Sequence, residues 1–212
     1  MSGQIQEYLV LKDIADIFKG YSITKLNESI SAVIDNSDKT DSGLEDFVIS
    51  EKVKVLGWKQ IRNYDKTHLV KDECNVIDIG RKYNKNIQYM RKGDIVFPVF
   101  PSKDCIEMVY IEDEPEEKYI YNESVIVIRA TDQSIDSKYI YIMCKSDAIQ
   151  DKLLNLTGNT KTVMSRLTKE ILSSIKIIKL TDIERKQIVD EYTNLLELQE
   201  KFNQKINQRQ SL

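Results

Sequence analysis

The stretch TDIERKQIVDEYTNLLELQEKFNQKINQ (181–208) decides how the rest of the chain is read. Ile188, Tyr192, Leu195, Gln199, Phe202 and Ile206 follow one another at alternating spacings of four and three. Such a narrow seam, of period 3.5, lets two helices wind round each other as a coiled coil. No Gly or Pro interrupts it, and Thr181 followed three residues later by Glu184 reads as a capping-box start. Glu184, Arg185, Lys186, Asp190, Glu191, Glu200, Lys201 and Lys205 alternate in sign on the flanks, as a solvated exterior would. Val189, Leu196 and Leu198 widen the apolar stripe, so two readings stand: a terminal helix laid on its own domain, or an exposed helix that awaits a partner. The expected organisation is one body over residues 1–180 and one protruding helix over residues 181–212.

Upstream of the helix the chain reads as a β-rich α+β body. LVLKDIADIFKG (9–20) reads as a short apolar strand, one or two helical turns capped by Asp13, and a glycine stop. Residues 22–46 are polar and read as a long irregular surface segment. Five β-type runs follow: VKVLGWKQI (53–61), NVIDI (75–79), DIVFPVF (94–100), IEMVYI (106–111) and KYIYNESVIVIRA (118–130). Pro98 and Pro101 would confine the third run to an edge or end it in a bulge. Two helices with serine caps are expected over 137–146 and 146–157, then a loop at Gly158-Asn159-Thr160. A short helix capped by Thr168 and a strand over 175–180 lead into the seam helix.

Composition narrows the class. With 41% hydrophobic and 31% charged residues, 212 residues suffice for one sizeable core and an appendage. No apolar run approaches the eighteen or so residues of a membrane span, and MSGQIQEYLV does not read as a signal peptide. Three widely spaced cysteines, Cys74, Cys105 and Cys144, fit reduced thiols, so a cytoplasmic protein is expected. A net charge of −3 argues against a protein that coats nucleic acid indiscriminately, but binding depends on where the charge sits.

The catalytic inventory is poor. His68 is the only histidine, and there is no Cys-x-x-Cys, Gly-x-Gly-x-x-Gly or P-loop, so neither a cofactor nor a metal is expected. Glu116-Glu117-Lys118 with Asp104 or Asp113 meets a nuclease spacing only loosely, and EDEPEE (112–117) reads better as a solvated acidic turn. No segment resembles the Asn-Pro-Pro-Tyr-type motif of amino-methyltransferases, so no catalytic residue is assigned.

Positive charge gathers in three places. RKYNKNIQYMRK (81–92) holds five basic residues and no acid, with Tyr83 and Tyr89 interleaved. Its candidates are Arg81, Lys82 and Lys85 for phosphates, and Asn84 and Asn86, whose amides can pair with an adenine edge. Asn159, Thr160, Lys161 and Arg166 form a second group, and Lys59 and Arg62 in WKQIRNYDKTH (58–68) a third. Each alone is as well explained by a solvated loop; three in an otherwise acidic chain point to a DNA face.

Taken in order, these segments resemble the specificity (S) subunit of type I restriction–modification systems. LKDIADIFKGYS (11–22) resembles the opening of that family's target-recognition unit, and WKQIRNYD (58–65) its aromatic, Ile-Arg, Asp strand. RKGDIVF (91–97) resembles its Lys-x-Gly-Asp-Ile entry to a central strand, and YNESVIVIRA (121–130) a later core strand. Across 135–177 the helix pair, hydroxyl loop, short turn and final strand come in the family's order before the long helix. Lys179, Thr181 and Glu184-Arg185 replace the prolines and the Glu-Gln pair often found there. A typical S subunit has two target-recognition domains and two spacer helices; this chain has one of each and resembles a half-length form.

The resemblance implies a non-catalytic target-recognition domain over 1–180 that reads double-stranded DNA. It also implies partners: methyltransferase subunits and, in some systems, a restriction subunit. Ile188, Tyr192, Leu195, Phe202 and Ile206 would then join two copies in antiparallel fashion about Glu197, which implies a gapped inverted-repeat target. A helix of roughly 26 residues is about 39 Å long, close to the roughly 34–36 Å between half-sites one duplex turn apart. Two rivals remain open: the recognition chain of a two-gene system whose partner both cuts and methylates, and a decoy that occupies methyltransferase subunits without binding DNA.

Overall fold

A computed structural model of the chain describes residues 6–22, 49–62, 75–80, 87–102, 104–132, 134–158 and 166–210. The order of elements is β1 (Tyr8–Val10), α1 (Leu11–Ile14), β2 (Ala15–Lys19), β3 (Ile49–Leu56), α2 (Trp58–Ile61), β4 (Asn75–Gly80), β5 (Ile95–Pro98), β6 (Val109–Tyr110), β7 (Tyr119–Tyr121), β8 (Val125–Ala130), α3 (Ser137–Lys145), α4 (Asp147–Leu156), α5 (Lys169–Ser173), β9 (Lys176–Ile178) and α6 (Asp182–Gln210). The fold is α+β, as expected.

A four-stranded antiparallel sheet of order β2-β8-β5-β6 forms the centre. Alternation along its inner strands divides the core in two. Ile95, Phe97, Ile126 and Ile128 enter a cluster with Leu11, Tyr139, Leu153 and Leu172 from α1, α3, α4 and α5. Val96, Val125 and Val127 face the other way, toward Leu56, Ile61 and Tyr121. Both faces are covered, which is why these runs read as continuously apolar. A second sheet, β4-β3-β7, pairs β3 antiparallel with β4 and parallel with β7. The first and last strands of the body, β1 and β9, pair antiparallel where the terminal helix departs.

Several expectations need correction. Residues 15–19 form strand β2 in register with β8, not a continuation of the helix, and α1 is a single turn that Asp13 does not cap. The run at 53–61 ends as a strand at Leu56. Gly57 then starts a helical turn in which Gln60 Oε1 accepts from the Gly57 N–H at 3.0 Å. β5 is an inner strand rather than an edge: β6 pairs only with Ile95 and Val96, and Pro98 is the strand's last residue, opposite Val125. The run at 118–130 is two strands in different sheets, split by a turn at Asn122–Ser124. Asp136, not Ser137, caps α3, accepting from Lys138 N–H at 2.8 Å. Thr168 caps α5 as expected, with Oγ1 accepting from Ile171 N–H at 3.3 Å. The polar segment at 23–48 lies outside the described residues.

The terminal helix starts where the capping box places it: Glu184 Oε2 accepts from Thr181 N–H at 2.9 Å, and Glu184 N–H donates to Thr181 Oγ1 at 3.4 Å. Arg185 does not lie on a solvated flank. It is 8% exposed and donates to Leu180 O, to Ser134 O and to the Asp182 carboxylate. Ile188, Val189, Tyr192 and Leu196 are half-buried; Ile188 and Val189 pack on the main core, and the Tyr192 ring meets Tyr141 of α3 edge-on at 6.2 Å. Lys145 Nζ lies 3.3 Å from both tyrosine hydroxyls and caps the joint. Beyond it Leu195, Leu198 and Phe202 are 61–64% exposed and Ile206 39%. The first half of the helix is therefore laid on its own body, and the second half stands exposed.

Candidate nucleic-acid interface

The turn at Tyr121–Val125, which joins β7 of the second sheet to β8 of the central one, collects segments from all over the chain. Asn122 N–H donates to Leu56 O at 2.8 Å, and Trp58 N–H to Ser124 Oγ at 2.9 Å. Gly20 N–H donates to Val125 O at 3.1 Å and Tyr21 N–H to Tyr121 O at 2.8 Å. Val99 N–H donates to Ser124 O at 2.8 Å, and Val99 O accepts from Leu167 N–H at 2.9 Å. Gln88 N–H donates to Tyr21 Oη at 2.7 Å. The turn itself is stiffened by Asn122 Oδ1, which accepts from Ser124 N–H and Oγ–H. Two glycines permit this crowding: a Cβ on Gly20 would lie 1.9 Å from Asn122 O, and one on Gly57 2.5 Å from Asn122 Nδ2.

The basic groups read from the sequence flank this turn. Lys59 and Arg62 are exposed on and just after α2, and Arg166 is exposed beside Leu167. Arg81, Lys82, Asn84, Lys85 and Asn86 lie outside the described residues, as do Asn159, Thr160 and Lys161. Segment 81–86 is followed by Ile87 and Gln88, and 159–165 by Arg166, so each is followed by residues tied in around the same turn. Sequence reasoning missed Lys19. It lines a groove of about 320 Å³ together with Arg166 and Lys169. The available signal was its place as the last residue before the Gly20 stop, which is also the last of β2.

A buried ionic network holds one of these segments. Asp94 is fully buried and Arg129 is 6% exposed. The guanidinium grips the carboxylate with two bonds of 2.7 Å, and Tyr121 Oη and Arg91 N–H also donate to Asp94. Arg129 then donates to Gln88 Oε1 and Tyr89 O, both at 2.6 Å, and its cation lies 4.9 Å from the Phe18 ring centroid. Fork geometry of this kind suits a desolvated pair. Gln88 and Tyr89, inside the basic stretch 81–92, are thereby fixed to the sheet. The sequence held a faint signal: one acid opening an apolar strand and one base near the close of another.

The acidic turn is tied down rather than free. Glu112 pairs with Lys138 at 3.2 Å, Glu114 accepts from Lys92 N–H at 3.0 Å, and Glu117 binds Lys54 and the Tyr119 hydroxyl. Among the described residues no group of three or more His, Cys, Asp or Glu could hold a metal ion. Cys144 is buried, and its desolvated thiol is pushed up to about 12, which makes it a packing residue. No described helix is long and apolar enough to cross a membrane.

Solved structures share this fold. The HsdS subunit of Thermoanaerobacter tengcongensis superimposes with a TM-score of 0.57 over 93% of this chain and 44% of its own, at 14% identity. This is the S-subunit fold. A chain from work on complex assembly and conformational transition of the type I R-M system matches with a TM-score of 0.50. It covers 91% of this chain and 38% of its own length, also at 14% identity. The type I S subunit of M. genitalium gives a TM-score of 0.44 at 12% identity, over 92% of this chain and 42% of its own. This chain spans less than half the length of each of these three chains. No protein-family model and no curated protein sequence matches it.

Proposed function

We propose that this chain is a DNA-recognition subunit of a type I restriction–modification system, in which residues 1–180 read one half-site and α6 serves as spacer and dimerisation helix. The observation that carries the reading is the gathering of cation-bearing segments at the Tyr121–Val125 end of an S-type fold. Lys59, Arg62, Lys19, Arg166 and Lys169 supply phosphate contacts there. The segments 81–86 and 159–161 supply the candidate base-reading amides and hydroxyls. Methylation, and cleavage where a restriction subunit joins, belong to the partner subunits.

Two copies pair through the exposed half of α6. Leu195, Leu198, Phe202 and Ile206 form a stripe about a quarter turn round the helix from the face laid on the body. Antiparallel pairing about Glu200 and Lys201 sets Leu195 of one copy against Ile206 of the other and brings Glu200 opposite Lys201 twice. This shifts the crossing three or four residues beyond Glu197, because Ile188 and Tyr192 are engaged by their own body. The target is then a gapped inverted repeat.

The test is binding to a pool of random duplexes with and without a methyltransferase subunit, followed by mapping of methylated bases. The expected result is weak binding alone, tight selective binding in the complex, and methylation in inverted-repeat half-sites. Selected duplexes with two unrelated half-sites would remove the homodimer; absence of any selection would remove DNA recognition.

A further inference from the structure

A groove of about 650 Å³ lies between α2, the segment entering β6, and the end of α3. Its volume is in the range of small-molecule sites. Trp58, the chain's only tryptophan, is half-buried: it packs on the cluster around Tyr121 and Val127 and lines the groove with Met108 and Val109. Arg62 and Lys145 line it as well, and so does Glu107. Among the described residues neither Arg62 nor Lys145 is in an ion pair. An indole beside an apolar wall suits a flat heteroaromatic ring, and two cations suit a phosphate. A carboxylate suits an exocyclic amino group.

We propose that this groove is a nucleotide site, in which the base stacks on Trp58, the phosphate is held by Arg62 and Lys145, and Glu107 accepts from the base's amino group. An unstacked nucleotide of a DNA strand and a free nucleotide offer the same chemistry. The site rests on the groove alone, so it can fail while DNA recognition stands, and the reverse. Lys145 also caps the Tyr141–Tyr192 joint, so an occupant bears on the root of the terminal helix.

Emission from the single tryptophan reads the site directly in the 212-residue chain. Deoxyadenosine 5′-monophosphate should quench it saturably, with a dissociation constant on the order of 1 mM or tighter. Arg62→Gln and Lys145→Gln should each weaken binding about tenfold, the usual cost of a lost charged hydrogen bond. Lys186→Gln, on the terminal helix, should change nothing. Preloading with duplex DNA at low salt, at a concentration shown by sedimentation to saturate the chain, separates the sources: loss of the quenching places a DNA nucleotide in the groove, and unchanged quenching marks a site for the free nucleotide. Quenching that never saturates, that survives the double substitution, or that deoxyadenosine reproduces at the same concentration overturns the proposal.

Discussion

Arg129 and Arg166 carry the same side chain to opposite fates. Arg129 lies inside the body with its fork closed on Asp94 and two further N–H groups donating to Gln88 and Tyr89. Arg166 stands exposed at the rim of a groove with Lys19 and Lys169, and among the described residues it has no ion pair. Arg185 and Arg62 repeat the contrast, one buried at the helix root and the other open beside α2. A buried guanidinium costs desolvation that only a complete set of acceptors offsets, so its capacity is used up in building the scaffold. An exposed one keeps that capacity for a phosphate. Charge count alone mixes the two populations, which is why a chain of net charge −3 can still present a basic face.

Breaking the contrast at Arg129 should have the largest effect. Arg129→Met leaves Asp94 buried with its main partner gone, and the expected loss is about 3–5 kcal/mol, read as a fall in urea midpoint. Asp94→Asn added to it should restore part of that loss. A loss below about 1 kcal/mol would mean that the pair is not what holds Gln88 and Tyr89.

The two halves of α6 offer a second contrast. Leu195→Glu with Phe202→Glu should abolish self-association in sedimentation and leave thermal stability within about 0.5 kcal/mol, because both side chains are open in the single chain. Ile188→Glu should instead destabilise the chain itself, since Ile188 packs on the main core. Equal stability losses from both changes would erase the division between the halves.

At the exposed cations the expected effect is on binding only. Arg62→Ala and Arg166→Ala should each flatten the salt dependence of DNA binding by the assembled complex by about one unit of slope. Folding stability should stay within about 0.5 kcal/mol. A shift in the urea midpoint comparable to that of Arg129→Met would place these residues in the scaffold.

What was legible in the sequence followed from local rules. The capping box at Thr181, the Thr168 cap and the apolar runs of β4 and β8 depend on neighbours in sequence, and they stand where expected. Strand β2 was misread because Lys12 to Ile14 start a real helical turn, and only pairing with β8, more than a hundred residues away, extends Ala15–Lys19. The prolines of the 94–100 run point to an edge or a bulge, yet a proline bars a central position only where its missing N–H would be needed. Pro98 ends the strand. The gathering of segments at Tyr121–Val125 left no trace in any one stretch, since its bonds join residues far apart in the chain.

The smallest expected effect lies at the start of α6, where Glu184 and Arg185 sit side by side in different roles. Hydrogen bonds from Thr181 hold the Glu184 carboxyl below the usual carboxylate range. A folded-state value that is depressed contributes stability present above the unfolded value and lost as pH falls through the folded one. Acid should therefore loosen the cap, while Arg185 keeps its charge and its bonds to Leu180 O and Ser134 O. Only the first turn should fray, with the helix still latched to the body. Glu184→Gln keeps an acceptor at the capping position but cannot titrate. Amide exchange over residues 182–186 should be slower in the parent chain than in this variant near neutral pH, and the difference should vanish below the carboxylate range. A difference that persists unchanged into acid would show that the charge on Glu184 does not hold the cap.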